Sequence, residues 1–338
     1  METLNIGLNG FGRIGRAFAR IALDKKLFNI VTINTRNTPA PMLAYLLQYD
    51  SVYRTYTKQI THDENSIAVD GIKIATSMIR EPRDIPWEKY GVDVVIDATG
   101  VFKTRDKLKD HLRGSVKKVI VTAPVKDDSI PHIVLGVNND SFDFKHVDII
   151  SNASCTTNCA APMFQIIHDN FKIISGFLTT AHAYTITQQL LDNSSKEFTR
   201  ARAATLSIIP STTGAADAIG KTIPEINGKI DGMAIRVPTP VGSFSDISAV
   251  TEKSTTIEEV NSFFKHASQE NMKGILDYAT IPLVSSDYIG SPYSCIFDAN
   301  YTKVINGNLV KVFGWYDNEW GYSSRLVDLV TKLAAYLP

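Results

Sequence analysis

Hydrophobic positions in the first 150 residues form short runs that amphipathic segments separate. Runs such as FNIVTIN and VDVVID predict buried strands, whereas RAFARIALDKK has its apolar residues on one helical face. IAVDGIKIA predicts a hairpin, because Asp70-Gly71 is a favoured two-residue turn between alternating segments. HIVLGV and VDIIS predict further strands at the end of this half. The strand–helix alternation predicts an α/β domain whose mostly parallel sheet is covered by helices.

The pattern changes after Ser154, where the predicted strands become longer. KIISGFLTTAHAY and SFSDISAVTEK are typical of a mixed or antiparallel sheet, and a long polar connection over residues 186–203 separates such strands. Long connections in compact domains are usually functional. We therefore predict two domains, residues 1–154 and residues 155–318. The second is an α+β domain with a mixed or antiparallel sheet, and an amphipathic helix over residues 319–338 follows it.

Composition and charge exclude several classes of function. The chain has 338 residues, and its 35 lysines plus arginines balance 35 aspartates plus glutamates. A neutral chain lacks the basic field that nucleic-acid binding through counterion release requires. No apolar run is long enough to span a bilayer, METLNIGLNG is not typical of a signal peptide, and three cysteines indicate no disulfide framework. We expect a cytoplasmic protein with neither a nucleic-acid nor a membrane partner.

The segment GFGRIG fits the pattern GxGxxG and lies between a predicted strand and a predicted helix. Glycines in that position let the backbone turn tightly and approach a pyrophosphate, whose charge meets the helix N-terminus. The motif alone is weakly specific, so a chance glycine turn is the alternative. The context favours a dinucleotide site. Its predicted coenzyme-binding residues are Gly10, Gly12, Arg13, Ile14 and Gly15.

The acid that an NAD site normally has about 20 residues further on, to bind the ribose hydroxyls, is missing. Asn34, Thr35 and Arg36 occupy the end of the second predicted strand instead. A carboxylate there would repel a 2′-phosphate, whereas a hydroxyl and a guanidinium would attract it. This favours NADP as the coenzyme. The alternative is that Arg36 points into solvent while NAD binds without the ribose contact.

The segment SNASCTTNC places Cys155 among hydrogen-bonding residues at the start of a predicted helix. Unpaired N–H groups and the positive end of the helix dipole stabilise a thiolate there, and His182 in TAHAYT is the candidate proton acceptor. We therefore expect a sulfur that is ionised at neutral pH. A metal site that includes Cys155 and Cys159 is disfavoured, because the sequence has no second pair of such ligands. We therefore predict no metal. A histidine on a strand is also often structural.

Several segments together closely resemble the phosphorylating glyceraldehyde-3-phosphate dehydrogenase family, and they follow the family's order from residue 9 to residue 325. The resemblance implies a Rossmann-like doubly wound first domain, a catalytic second domain and a C-terminal helix that packs back on the first domain. It also implies a homotetramer with the connection over residues 186–203 at a subunit interface. The segments are NGFGRIGR, SNASCTTNC, TAHAYT, RARAA, STTGAA, GMAIRVPTP and WYDNEWGYSSR.

The resemblance implies a role for each matching residue. Cys155 attacks the aldehyde of glyceraldehyde 3-phosphate, oxidation by NAD or NADP leaves a thioester, and inorganic phosphate releases 1,3-bisphosphoglycerate. His182 activates the thiol and stabilises the oxyanion. The substrate phosphate is matched by Thr185, Arg200 and Arg236, the attacking phosphate by Ser154, Thr156, Thr213 and Gly214, and the coenzyme by Arg80, Gly100, Thr122, Asn193, Ser194 and Asn318.

The chain departs from the family pattern at several positions. Asn193-Ser194 stands where strict NAD enzymes usually have Leu-Pro, and NADP-using relatives often have a serine at the second position. Arg80 matches an arginine that approaches the adenosine ribose, so both features favour NADP. Thr187 replaces an Asp beside the substrate-phosphate site. Asp217 replaces a Lys of the usual GAAKAV segment and removes positive charge near the phosphates.

Two alternatives remain open at the level of sequence. Erythrose-4-phosphate dehydrogenase has the same fold and thiol chemistry, but that family does not usually have HAYT and STTGAA, which are present here. A catalytically silent dinucleotide-binding protein would need neither Cys155 nor His182. Both residues favour the triose phosphate enzyme.

Overall fold

The computed structural model describes residues 3–337. These residues form two compact units. The first comprises residues 3–133, 141–153 and 326–337, and the second comprises residues 134–140 and 154–325. The last helix of the chain is therefore divided, since its residues up to Arg325 are grouped with the second unit.

The first unit contains an eight-stranded sheet in the order β3-β4-β5-β2-β1-β6-β7-β8. The strands from β5 to β8 in this order are mutually parallel, and β3 and β4 are antiparallel additions at one edge. The carboxyl ends of the parallel strands therefore meet at one edge of the sheet. The strands are β1 (Asn5–Asn9), β2 (Asn29–Thr35), β3 (Ile60–His62), β4 (Ser66–Val69), β5 (Ile72–Met78), β6 (Val94–Asp97), β7 (Lys118–Val121) and β8 (Ile149–Ser151).

The α-helices that lie wholly in this unit are α1 (Arg13–Lys25), α2 (Ala40–Gln48) and the single turn α3 (Arg105–Leu108). The predicted hairpin is confirmed, because β4 and β5 pair antiparallel through Val69 and Ile72. Asp70 and Gly71 have φ of 50° and 81°, the left-handed values that a tight two-residue turn requires.

The prediction of a strand at HIVLGV is wrong. Only one isolated bridge, between His132 and Ser151, forms there. The segment then turns at Gly136, whose φ is +86°, and the Asn138 side chain accepts a hydrogen bond from the Val134 N–H at 2.9 Å. Val134 is fully buried without belonging to a strand. Its hydrophobicity reflects packing and not strand pairing, which the sequence alone does not distinguish.

The second unit contains a mixed sheet in the order β10-β11-β9-β12-β16-β14-β13, with β15 paired to β16. Parallel pairing joins β11 to β9 and β13 to β14, and the other pairs are antiparallel. The predicted mixed sheet is confirmed. The strands are β9 (Ile173–Ala183), β10 (Ile209–Thr212), β11 (Ile230–Val237), β12 (Ser243–Thr251), β13 (Leu276–Ala279), β14 (Cys295–Asp298), β15 (Lys303–Ile305) and β16 (Leu309–Tyr316).

The helices of the second unit are α4 (Cys155–Phe171), α5 (Ala215–Thr222) and α6 (Ile257–Gln269), and α7 (Trp320–Ala334) begins in it. Ser154 is the N-cap of α4, because its Oγ accepts a hydrogen bond from the Thr157 N–H at 3.1 Å. α4 is buried along most of its length. Its first residue, Cys155, is thereby held at a fixed position.

Candidate active site

Cys155 and His182 are brought together by the helix start and the end of a strand. Cys155 is the first residue of α4, and His182 is the penultimate residue of β9. Cys155 Sγ lies 3.3 Å from His182 Nε2. This distance suits transfer of a proton between thiol and imidazole. The two residues are 27 positions apart, so the contact depends on tertiary structure.

Arg236 contacts the opposite side of the same imidazole. β11 runs parallel to β9 with Arg236 in register with His182, which places the two side chains next to each other. Arg236 Nη1 lies 2.6 Å from His182 Nδ1 and donates to Ala183 O at 3.1 Å. His182 Nδ1 also lies 2.7 Å from Ala183 O. The imidazole is thus held between a thiol at Nε2 and a guanidinium and a carbonyl at Nδ1.

Burial dominates the protonation of the pair. It raises the pKa of the Cys155 thiol to about 11, against the opposite effects of Arg236 and the Thr156 N–H. Burial, together with the Arg236 cation, lowers the pKa of His182 to about 3. Both groups are therefore neutral in the ligand-free protein near pH 7. Our expectation of a sulfur already ionised at neutral pH is wrong, because the cost of desolvating a lone thiolate exceeds what the helix start supplies.

Ionisation of the sulfur is still accessible through the neighbouring ring. Transfer of the proton from Sγ to Nε2 creates two opposite charges 3.3 Å apart and leaves the net charge of the site unchanged. The ion pair is therefore less costly than either buried charge alone. The geometry supports a thiol that His182 deprotonates as it reacts.

Tyr316 connects the helix start to the strand that holds His182. Its hydroxyl bonds to Thr156 Oγ1 at 3.0 Å and to Thr180 Oγ1 at 2.9 Å, and its ring meets the His182 ring edge-on at 6.0 Å. The hydroxyl of Thr156 is thus buried against Tyr316. The sequence analysis missed Tyr316, although it lies within the recognised segment WYDNEWGYSSR.

Burial lowers the pKa of Arg236, and the positive charge of Arg200 lowers it further. The Arg200 guanidinium donates to Ser211 Oγ at 2.6 Å and 3.0 Å and pairs with Glu197 at 3.0 Å. Arg236 Nε, in contrast, is buried without a hydrogen-bond partner among the described residues. Two arginines at one locus, one with an unused buried donor, form a site suited to an anion.

The turn after β9 contains further donors. Thr185 Oγ1 bonds to Thr187 Oγ1 at 2.9 Å, and the Thr185 N–H donates to Gln188 Oε1 at 3.3 Å. Gln188 Nε2 and Thr239 Oγ1 are buried and lack a partner in the described part of the chain. The sequence analysis did not identify Gln188 or Thr239, because nothing in their local sequence marks them.

The start of α5 contains the other residues matched to a phosphate. Gly214 is the N-cap of this helix, and Thr213 Oγ1 accepts a hydrogen bond from the Ala215 N–H at 3.2 Å. Asp217 is exposed in the first helical turn, where a carboxylate stabilises the helix dipole. No hydrogen bond within residues 3–337 joins Thr213 or Gly214 to Cys155.

Asn318 is oriented by the strand that pairs with β9. Its Oδ1 accepts hydrogen bonds from the Gly242 N–H and from Ser243 Oγ, each at 3.1 Å. Ser243 Oγ also accepts from the Ala183 N–H at 3.1 Å. The carboxamide oxygen of Asn318 is therefore fixed, and its Nδ2 has no partner among the described residues.

The glycine motif of the first unit fits a dinucleotide pyrophosphate. Gly10 follows β1 with φ of +99°, and a Cβ there would lie 2.8 Å from the backbone of Ala98. Gly12 is the N-cap of α1, and a Cβ built on it meets no atom within 4 Å. The backbone at this helix start is thus open on the side that an anion approaches. Arg13, beside it, pairs with Asp50 and stacks over Tyr53 at 5.4 Å.

Asn34 and Thr35 at the end of β2 use their polar groups within the protein. Asn34 is buried and bonds to Asn9, Ser77 and Ile79 through both amide atoms. Thr35 Oγ1 donates to Thr38 O at 3.0 Å and accepts from the Thr38 N–H at 3.2 Å. The Thr35 hydroxyl therefore already donates its proton to a backbone carbonyl. This is contrary to the expectation that the hydroxyl attracts a 2′-phosphate.

The remaining predicted coenzyme residues lie at strand ends or on the surface. Arg36 is exposed, and the Arg80 side chain is 77% exposed and lies 3.9 Å from the Glu81 carboxylate. Gly100 follows β6 with φ of +69°, and the Thr122 N–H after β7 donates to Asp97 O at 3.0 Å. Ile14 and Gly15 lie in the first turn of α1, and Asn193 and Ser194 are exposed in the second unit.

Residues 3–337 contain neither a metal-binding cluster nor a helix that could span a membrane. No group of three or more His, Cys, Asp or Glu side chains is arranged to hold a metal ion. No helix in this part of the chain combines the length and apolarity needed to cross a bilayer.

Comparison with known proteins identifies the family. The model of the glyceraldehyde 3-phosphate dehydrogenase C-terminal domain matches residues 154–318, and that of the family's NAD binding domain matches residues 4–105. The chain belongs to the glyceraldehyde-3-phosphate dehydrogenase family. The resemblance stated from the sequence is confirmed, and so is the fold class, a Rossmann domain with a mixed-sheet second domain. Family membership makes the chain an oxidoreductase that uses NAD or NADP.

Curated relatives cover almost the whole chain. The glyceraldehyde-3-phosphate dehydrogenase of Streptomyces coelicolor is 47% identical over 97% of this chain and 97% of its own length. That of Geobacillus stearothermophilus is 47% identical over 98% of both chains. That of Mycobacterium leprae is 48% identical over 97% of this chain and 98% of its own.

Proposed function

We propose that this chain oxidises glyceraldehyde 3-phosphate with inorganic phosphate and NAD or NADP to 1,3-bisphosphoglycerate, through a thioester on Cys155. The proposal rests above all on the 3.3 Å contact between Cys155 Sγ and His182 Nε2 at a helix start. A buried thiol beside a basic nitrogen supports covalent attack on a carbonyl carbon. A non-catalytic binding protein would not need this arrangement.

The residues of the second unit supply the proton transfers. Cys155 Sγ attacks the aldehyde carbon as its proton passes to His182 Nε2, and the resulting hemithioacetal oxygen is stabilised by the Cys155 N–H and the ring. His182 returns that proton to the oxygen, which gives the hydroxyl of the hemithioacetal. A bound coenzyme would supply the hydride acceptor for that carbon. As the hydride leaves, His182 takes the hydroxyl proton, and a thioester remains on Cys155. A phosphate oxygen then attacks the acyl carbon, and the Cys155 thiolate leaves.

Two groups of donors support the two phosphate positions. Arg236 has a buried Nε that lacks a partner in the described chain, and Arg200 acts electrostatically on it; with Thr185 on the turn after β9, this set suits the substrate phosphate. Ser154, Thr213 and the N-cap Gly214 lie at the starts of α4 and α5 and suit the attacking phosphate. Thr156 contributes its N–H, since its hydroxyl bonds to Tyr316.

NADP is the coenzyme we favour, for an electrostatic reason. No carboxylate stands at the end of β2, and Arg36 and Arg80 are exposed cations beside the sheet edge that ends in Thr35. Because the Thr35 hydroxyl is occupied by Thr38, the preference comes from the missing negative charge and the two guanidinium groups. The Ser194 hydroxyl has no hydrogen-bond partner among residues 3–337, so in an assembled oligomer it would be available to the same phosphate.

A homotetramer in the cytoplasm completes the proposal, with a coenzyme domain over residues 1–154, helix 319–338 packed on it, and a catalytic domain over residues 155–318. The connection after β9 supports an interface, because its large apolar side chains are strongly exposed in the single chain. These side chains are Ile186, Leu190, Leu191, Phe198, Leu206 and Ile208.

Steady-state kinetics test this function. We expect coenzyme reduction that requires glyceraldehyde 3-phosphate and either phosphate or arsenate, with NADP used at least as efficiently as NAD. A higher kcat/KM for erythrose 4-phosphate would favour the erythrose-4-phosphate dehydrogenase reaction. Coenzyme binding without aldehyde-dependent reduction would contradict an enzymatic role.

A further inference from the structure

The imidazole of His182 has two incompatible hydrogen-bond arrangements at Nδ1. Arg236 Nη1, which is always a donor, lies 2.6 Å from Nδ1. Ala183 O, which is always an acceptor, lies 2.7 Å from the same atom. A neutral ring with its proton on Nδ1 donates to Ala183 O but opposes the Arg236 N–H. A ring with its proton on Nε2 accepts from Arg236 at Nδ1.

The choice at Nδ1 decides what Nε2 can do. With Arg236 donating to Nδ1, the single ring proton of the neutral imidazole sits on Nε2, which faces Cys155 Sγ at 3.3 Å. Nε2 then has no lone pair with which to accept the thiol proton. With Nδ1–H donating to Ala183 O, the lone pair of Nε2 points at the sulfur and can accept that proton.

We propose that Arg236 holds His182 in the inactive Nε2–H tautomer, and that the substrate phosphate releases it by drawing the guanidinium away from Nδ1. In this role Arg236 is a positioning residue that acts through His182. The proposal rests on the function proposed above and adds that the phosphate of the substrate switches on the base. The ring gains a proton at Nδ1 and loses one at Nε2 by exchange with solvent, so its charge does not change. No oxidant is needed.

The surroundings of Arg236 favour such a switch. Its Nε is buried without a partner among residues 3–337, so the side chain has a donor that an anion can use. Charge-assisted, bidentate bonds to a phosphate are stronger than one bond to a neutral imidazole nitrogen. The nearby Arg200 repels Arg236, and a dianion between them would relieve this repulsion. A phosphate paired with Arg236 also offsets the positive charge that opposes protonation of His182.

The first test separates the phosphate from the aldehyde. The wild-type protein is mixed rapidly with coenzyme and glyceraldehyde, which lacks the phosphate, with and without phosphite dianion, and the first turnover of coenzyme reduction is recorded. General-base catalysis typically contributes 10²–10⁴-fold, so we expect phosphite to accelerate this turnover by at least about tenfold. The acceleration should persist in Thr213→Ala, which alters the other phosphate position. An unchanged rate would overturn the proposal.

The second test reads the tautomer directly. Nitrogen-15 NMR of histidine-labelled protein distinguishes Nδ1–H from Nε2–H, and His182→Asn assigns the signal. We expect Nε2–H in the ligand-free protein, Nδ1–H after addition of phosphite, and Nδ1–H without phosphite in Arg236→Met. An Nδ1–H tautomer in the ligand-free wild type, or no change with phosphite, would overturn the switch.

Turnover of glyceraldehyde 3-phosphate in the same preparation keeps the two proposals apart. If this turnover is present while the tautomer stays fixed, the switch fails and the proposed function stands. If this turnover is absent, the proposed function itself fails.

Discussion

Replacing His182 by asparagine should remove the reactivity of Cys155 at neutral pH. Burial raises the pKa of this thiol to about 11, so without a proton acceptor only about one sulfur in a thousand is ionised at pH 8. In the wild type, once an anion has drawn Arg236 away from Nδ1, the lone pair of Nε2 faces the thiol, and the proton can move to it across 3.3 Å. At an effective dielectric constant of about 20, the attraction between the two charges is about 5 kcal/mol, which lowers the cost of the ion pair by between three and four orders of magnitude. Because the pKa values of Cys155 and His182 lie further apart than that, the ion pair stays a minor species, and His182 acts as a general base that takes the proton as the sulfur reacts.

The assay is the rate of alkylation by iodoacetamide between pH 6 and pH 11, followed by peptide mass spectrometry. With phosphite present to bind Arg236, we expect the wild type to react at pH 8 at least about a hundredfold faster than His182→Asn, because general-base catalysis typically contributes 10²–10⁴-fold. The pH profile of the variant should rise only towards pH 11. Cys155→Ser is the control for site specificity, and Cys159 and Cys295 are fully buried and should stay unlabelled. Identical profiles for wild type and His182→Asn would refute the reasoning.

The remaining predictions concern the nucleophile, the coenzyme, the glycine motif and acid stability. Cys155→Ser should bind coenzyme yet lose nearly all oxidation, because a neutral hydroxyl is a poor nucleophile; equilibrium binding and turnover assays check this, and near-normal turnover would argue against the covalent route. Thr35→Asp should lower the ratio of NADP to NAD efficiency, because a carboxylate repels a 2′-phosphate; an unchanged ratio in steady-state kinetics would mean that this position does not affect the preference. Gly10→Ala should lower the thermal unfolding midpoint and weaken coenzyme binding, because its Cβ would lie 2.8 Å from the Ala98 backbone at a φ of +99°. In the control Gly12→Ala the Cβ meets no atom within 4 Å, so this variant should keep its stability. Equal midpoints for the two variants would contradict the close packing at Gly10. Burial lowers the pKa of His182 to about 3, below its unfolded value of about 6.5, so the unfolded chain binds more protons between these values and stability falls as the pH falls through that range. His182→Asn should therefore lose less stability than wild type in urea unfolding from pH 6.5 downwards, and parallel losses would count against a buried neutral imidazole.

Local features of the fold were predictable because their causes are local. Asp70-Gly71 specifies its hairpin through the left-handed φ values that both residues adopt. The placement of Cys155 at a helix start follows from Ser154, whose hydroxyl caps the first turn. The strand predicted at HIVLGV does not form, because an apolar run can also be buried outside a strand when residues distant in sequence pack over it.

The details of the site depended on tertiary structure. Arg236 meets His182 only because β11 and β9 pair in parallel with these residues in register, and no spacing along the chain encodes that register. The Thr35 hydroxyl is occupied by a local turn at Thr38, which the motif does not reveal. The direction of the Cys155 pKa shift also needed the structure, because burial outweighs the helix start that the sequence indicated.

The most direct test of the account is to trap the acyl group on Cys155. The protein is mixed with glyceraldehyde 3-phosphate and oxidised coenzyme in the absence of phosphate, quenched in acid and mapped by peptide mass spectrometry. We predict one reduced coenzyme per chain and a 3-phosphoglyceroyl thioester on Cys155 that added phosphate discharges as 1,3-bisphosphoglycerate. Coenzyme reduction with Cys155 unmodified, or with the acyl group on another residue, would contradict the account.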